Sequence, residues 1–147
     1  MIEPKFKTMG KFLNKIYPKN VIGTTLFPFG IYIRDKWQGN IKVKWHESIH
    51  WAQQIEMFFS GIGISVIGLI LFLLFNVSVF LYPLLIIFPF LFFYLWYVLE
   101  WLIKTVIHFK GAYRDISFER EAYGNEKFVD YLKKRKSFYW MRFIFKP

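Results

Sequence analysis

The sequence predicts a mostly α-helical membrane protein: a helix bearing two histidines, a two-helix transmembrane hairpin, a C-terminal helix, and a short β-hairpin near the N-terminus. Three observations carry this expectation. Residues 57–99 contain no Asp, Glu, Lys or Arg and are mostly apolar. A chain of 147 residues has room for one compact unit, too small to hide such a run, whereas a bilayer accommodates it. The 20 Lys and Arg lie on both sides of the run, nine before Trp45 and eleven after Ile103. That distribution suits a membrane protein with both ends on the cytoplasmic face.

The formal charge of +10 in a soluble chain would point to nucleic acid. Flanking an apolar run, it points to anionic lipid instead, and no nucleic-acid partner is expected. With no cysteine, disulfides and thiolate ligands are excluded.

From the N-terminus, residues 1–20 read as an interfacial amphipathic helix. Phe6, Met9, Phe12, Leu13, Ile16 and Tyr17 fall on one side and Lys7, Lys11, Lys15 and Lys19 on the other. Pro18 ends it. No apolar h-region is present there, so a cleaved signal peptide is not expected. Residues 21–41 read as a β-hairpin, with VIGTTL and GIYIR flanking the turn residues Phe27-Pro28-Phe29-Gly30. Trp37-Gln38-Gly39-Asn40 marks a second turn, and a helix follows over 43–57.

One helix spanning the whole uncharged run would be about 65 Å long, twice the hydrocarbon thickness. The segment 58–102 must therefore fold back, and Asn76 to Pro83 holds the turn residues. Crossings near Phe58–Asn76 and Pro83–Leu102 result, each about the length a bilayer needs. Gly61, Ser65 and Gly68 form a small-residue stripe that admits the second crossing closely. Trp96, Tyr97 and Trp101 sit at belt positions. Two crossings return the chain to its starting side, so residues after 103 face residues before 57. A helix over 117–135 and an aromatic, basic interfacial tail over 136–147 complete the chain.

Chemistry concentrates in His46-Glu47-Ser48-Ile49-His50. Helical residues four apart share a face, so both imidazoles can reach one Zn2+ ion. Glu47 lies on the adjoining flank, where a carboxylate can take a proton from activated water. A catalytic zinc wants three protein ligands and an open position. The third is then His108 or a carboxylate among Glu119, Glu121 and Glu126. Helix phase favours Glu121, which falls on the apolar face with Phe118, Ala122, Asn125, Val129 and Leu132; Glu119 is the fallback. A carboxylate on the packed side needs a cation, which zinc supplies.

HESIH, a hydrophobic hairpin and EREAYGN together resemble the integral-membrane gluzincins: the CAAX-prenyl endoproteases, heat-shock membrane proteases and BlaR-type sensor proteases. The similarity covers roughly residues 21–132, and two short motifs carry it. In that family a later Glu ligand is followed four residues on by Asp; here these positions hold Glu121 and Asn125. The resemblance implies a zincin-like fold and a zinc metalloendopeptidase. His46, His50 and Glu121 would be ligands, Glu47 the general base, and the strand Gly30–Arg34 would pair with a peptide or membrane-protein substrate. Tyr113, Arg114, Tyr123 and His108 are the candidate electrophilic stabilisers. The competing readings are a non-catalytic metal-binding membrane protein and a cationic membrane-perturbing hairpin.

Overall fold

The computed structural model describes residues 3–107 and 111–145. It is mostly helical, with a three-stranded sheet near the N-terminus and two long apolar helices. His108 lies outside the described residues.

The N-terminal segment differs from expectation. Phe6–Thr8 is a strand, β1, and only Lys11–Ile16 is helical, as α1. The expected hairpin is present as β2 (Gly23–Leu26) and β3 (Gly30–Ile33), joined through a cis Phe27-Pro28 bond. The sheet order is β1-β3-β2, with β1 parallel and β2 antiparallel to β3. Gly30 sits at φ +130, and a Cβ there would stand 2.5 Å from the Lys5 carbonyl. Only glycine lets the chain beside β1 approach so closely. Ile31 and Ile33, fully buried, pack with Trp51 to join the sheet to the helix that follows.

That helix, α2, runs over Ile41–Leu74 without interruption. The Asn40 side chain caps it, accepting from the amides of Lys42 at 3.0 Å and Val43 at 3.2 Å. The histidine helix and the first apolar segment are thus one rigid element. Asn76, at φ 50, lies in the turn, and α3 returns over Tyr82–Ile107. The small-residue stripe faces α3. A Cβ on Gly61 would stand 2.7 Å from Pro89 Cα, and one on Gly68 would stand 2.9 Å from Leu85 Cδ2. Both helices are long and apolar enough to cross a membrane, and only 11% of each apolar window is buried within the protein. Phe75, Phe80 and Leu74 stand 75%, 87% and 69% exposed, unlike the side chains of a soluble core helix.

Beyond α3, α4 (Ala112–Asp115) leads into α5 (Ser117–Asn125). The expected helix over 117–135 breaks after α5 and resumes only as α6 (Tyr131–Lys134). The tail does not stay apart from the fold. Trp140 is buried against Phe118, ring centroids 4.5 Å apart, in a cluster with Met57, Phe93 and Ile116.

Candidate metal centre

The site forms where α5 crosses the first four turns of α2. Its alignment is fixed at both ends. Glu100 of α3 accepts from the Ser117 amide at 2.8 Å and the Ser117 hydroxyl at 2.6 Å, tying down the start of α5. Phe118 then stacks on Phe93 at 4.6 Å, with Trp140 on its other flank. With Phe118 so held, the next residue, Glu119, faces the two imidazoles.

His46 and His50 present their Nε2 atoms to each other at 3.1 Å. Glu119 closes the triangle, with Oε2 3.4 Å from His46 Nε2 and Oε1 3.3 Å from His50 Nε2. A tetrahedral zinc with bonds of about 2.0–2.1 Å sets its donors about 3.3–3.4 Å apart. The two imidazole–carboxylate distances match that spacing, each through a different Glu119 oxygen, and the two imidazoles stand slightly closer. Among the described residues this is the group of His and carboxylate side chains whose ligand atoms converge closely enough to hold a metal.

The remaining bonds of each ring fix its protonation. His46 Nδ1 lies 2.8 Å from Glu126 Oε2, and an ionised carboxylate only accepts. A proton on Nδ1 makes this bond, and Nε2 is then the nitrogen left to face a ligand. Glu126 is held by Lys42 Nζ at 2.9 Å. His50 Nδ1 likewise meets the carbonyl oxygen of Gln53 at 2.8 Å. Two imidazole Nε2 atoms and a carboxylate thus point at one another within a buried space, Glu119 being 2% exposed. Glu119 Oε2 has no hydrogen-bond donor. These donors could hold a cation at their centre, and the residues fit a zinc ion.

The electrostatics couple the same three groups. Burial opposes charge on Glu119, yet His50 and His46 hold its carboxyl well below the usual range. Burial pushes His50 down, but Glu119 and Glu47 overcome it and raise the imidazole to about 9. Without a metal, a proton on His50 takes the cation's place.

Glu47 is buried beside this triangle under strand β2. Its Oε2 accepts from Thr25 Oγ1 at 2.8 Å, and its backbone carbonyl accepts from the same hydroxyl at 3.0 Å. A Cβ on Gly23 would lie 2.8 Å from Glu47 Oε1, so the strand rests on the carboxylate. Gln54 fastens the strand in place, donating to Thr25 O at 2.9 Å and accepting from Phe27 N at 2.8 Å. Burial raises the Glu47 carboxyl, against the lowering effect of His50, His46 and Thr25.

No known protein family, curated protein or solved structure matches this chain. The function must therefore be argued from the site itself.

Two expectations require correction. Glu121 does not reach the imidazoles. It is fully buried on another face of α5, where Arg135 pairs with it and Tyr131 donates to its Oε1 at 2.7 Å. Its compensating cation is a guanidinium, and the acid facing the histidines is Glu119, the fallback. Asn125 bonds to the backbone carbonyl of Glu121 at 2.8 Å and supports no ligand. The strand over the site is also different. β3 is central, paired on both sides, so the edge beside Glu47 belongs to β2.

Glu126, one of the three candidate ligands, meets Nδ1 of His46 instead of joining the ligand group, and Tyr97 is a site residue the sequence does not announce. Glu119 and Glu126, seven apart, share a helix face, and that face meets both ring nitrogens of His46. This spacing was legible. Tyr97, whose hydroxyl donates to Glu119 Oε1 at 2.9 Å, reads from sequence as an interfacial aromatic. Of the stabiliser candidates, Tyr113 and Tyr123 line the cleft over His46 and Glu47, whereas Arg114 stacks on the Tyr123 ring at 5.3 Å. Tyr123 in turn meets the His46 ring edge-on at 4.7 Å. The cleft has two connected parts, of about 270 and 450 Å³, which share Val21, Gly23, His46, Glu47 and Tyr113.

Proposed function

We infer that this chain is a membrane-embedded zinc endopeptidase hydrolysing peptide bonds at the bilayer surface. His46, His50 and Glu119 hold the metal, and Glu47 moves the proton. The observation carrying this reading is the convergence of two imidazole Nε2 atoms, 3.1 Å apart, with the two oxygens of Glu119 at 3.3 and 3.4 Å, and a buried Glu adjoining them. The HExxH resemblance supports the same chemistry, with Glu119 in the role first given to Glu121.

A zinc ion in such a site supplies Lewis acidity and brings the pKa of its water to about 7. The chain's own residues do the rest. Glu126 and Gln53 orient the two imidazoles through Nδ1, and Tyr97 holds Glu119. Thr25 fixes one Glu47 oxygen. Glu47, its proton affinity raised by burial, accepts a proton from the attacking water and returns it to the departing amine. The outer edge of β2 lies beside Glu47; Gln54 takes its Thr25 and Phe27 end, which leaves the Gly23 end for an extended peptide to pair with. The exposed apolar surfaces of α2 and α3 beyond Glu56 support insertion in a bilayer. The positive flanks favour a cytoplasmic site.

The test is metal content and hydrolysis in detergent-purified protein, assayed against a peptide library presented in liposomes. Wild type should carry one zinc per chain and cleave. Glu119→Gln and His46→Ala should lose the metal, while Glu47→Gln keeps it and loses cleavage. Zinc retained in full by Glu119→Gln, or cleavage retained by Glu47→Gln, would overturn the reading.

A further inference from the structure

We propose that Gln53 is a positioning residue which fixes the tautomer of His50, and that the buried Arg135–Glu121 pair sets the orientation of Gln53. This inference rests on the metal site argued above and assigns a role to residues outside it.

Gln53 is fully buried one turn beyond His50. A side-chain amide can be turned end for end, and its neighbours decide which way it lies. Here they leave one choice. One end of the amide meets the Phe118 carbonyl at 3.1 Å and Glu121 Oε2 at 3.0 Å. Both are pure acceptors, so that end must be the NH2 group. The oxygen then faces His50 Nδ1, 2.8 Å away. An amide oxygen only accepts, so Nδ1 carries a proton, and in the neutral ring it is Nε2 that offers the lone pair. That lone pair is the one aimed at His46 and Glu119.

The second acceptor is itself held in place. Arg135, its side chain 2% exposed, bonds Glu121 through Nε at 2.5 Å and Nη2 at 3.2 Å. The same guanidinium pairs with Glu56 one turn beyond Gln53 on α2. A guanidinium offers only donors, so it holds Glu121 with Oε2 toward the Gln53 amide, and Gln53 keeps one orientation. The chain of contacts runs Arg135, Glu121, Gln53, His50. Every link joins a donor to an acceptor.

The experiment compares Gln53→Met with Gln54→Met. Gln54 is also buried, at 4%, but it bonds to β2 and touches neither imidazole nitrogen, so it controls for loss of a buried amide. Zinc affinity is read by chelator competition. The protonated nitrogen of His50 is read by 15N NMR of histidine-labelled, zinc-loaded protein. Gln53→Met should weaken zinc binding about 10- to 100-fold and lose the single Nδ1–H state. Gln54→Met should keep that state and stay within about threefold of wild type. Equal losses in both variants, or an unchanged affinity in Gln53→Met, would overturn the inference. If Gln53→Met does not fold, the wild-type spectrum decides: a proton on His50 Nε2 ends the proposal. Wild type that binds no zinc at all would instead refute the metal site.

Discussion

Replacing Arg135 with Met should be among the most damaging substitutions in the chain, although it lies far from the histidines in sequence. Its guanidinium neutralises two carboxylates at once, and their side chains are 11% exposed at Glu56 and 0% at Glu121. Removing one partner of a buried pair leaves an uncompensated charge and costs about 3–5 kcal/mol. For a chain of this size, 1 kcal/mol moves the melting midpoint by about 2–4 °C, so a fall of about 6–20 °C is expected. The assay is thermal unfolding in detergent, followed by tryptophan fluorescence. Neutralising one of the stranded acids should restore part of the loss, so Arg135→Met/Glu121→Gln should melt above the single variant. Lys133 provides the contrast, because its pair with Asp130 is 82% and 61% exposed and solvent screens it. Lys133→Met should cost less than about 1 kcal/mol. A midpoint for Arg135→Met within about 2 °C of wild type would refute the reasoning.

Three further outcomes follow from the packing and charge around the site. Gly23→Ala puts a methyl 2.8 Å from Glu47 Oε1, so zinc content should hold while kcat falls about 100-fold; an unchanged kcat would contradict the proposed role of Glu47. Gly61→Ala drives a methyl to 2.7 Å from the Pro89 backbone and should destabilise the helix pair by about 1–3 kcal/mol, measured by the same melts. In zinc-free protein His50 is raised from 6.5 to about 9, so its stabilising charge is complete below pH 6.5 and lost as pH climbs through 9. Melts across that window should show a decline of about 3 kcal/mol in zinc-free protein and none from this source in zinc-loaded protein.

Local signals made the larger elements legible before any coordinates. The turn residues Phe27 to Gly30 marked the hairpin, the uncharged run marked the two long helices, and Ser117 marked the start of α5. β1 was hidden because Phe6-Lys7-Thr8 fits an amphipathic helix as well as a strand, and only pairing with β3 decides. The tail was misread for a similar reason. Aromatics beside cations describe an interfacial anchor and a cap on a small core equally well, and Trp140 takes the second role against Phe118.

The exchange of Glu119 for Glu121 has a more instructive cause. Helix phase treats one face as inside and the other as outside, but α5 is enclosed on several sides, with Phe118, Glu119, Glu121 and Ala122 all buried. A buried acid then has two ways to be neutralised. Glu121 meets Arg135, fourteen residues on and brought back by the turn after α5, which no local pattern announces. Glu119 meets two imidazoles whose other nitrogens are already occupied by acceptors. The guanidinium satisfies Glu121 outright. Glu119 has no guanidinium beside it: the imidazoles face it, and they neutralise it only when His50 carries a second proton. The group that could hold a metal therefore lies on the Glu119 side of α5.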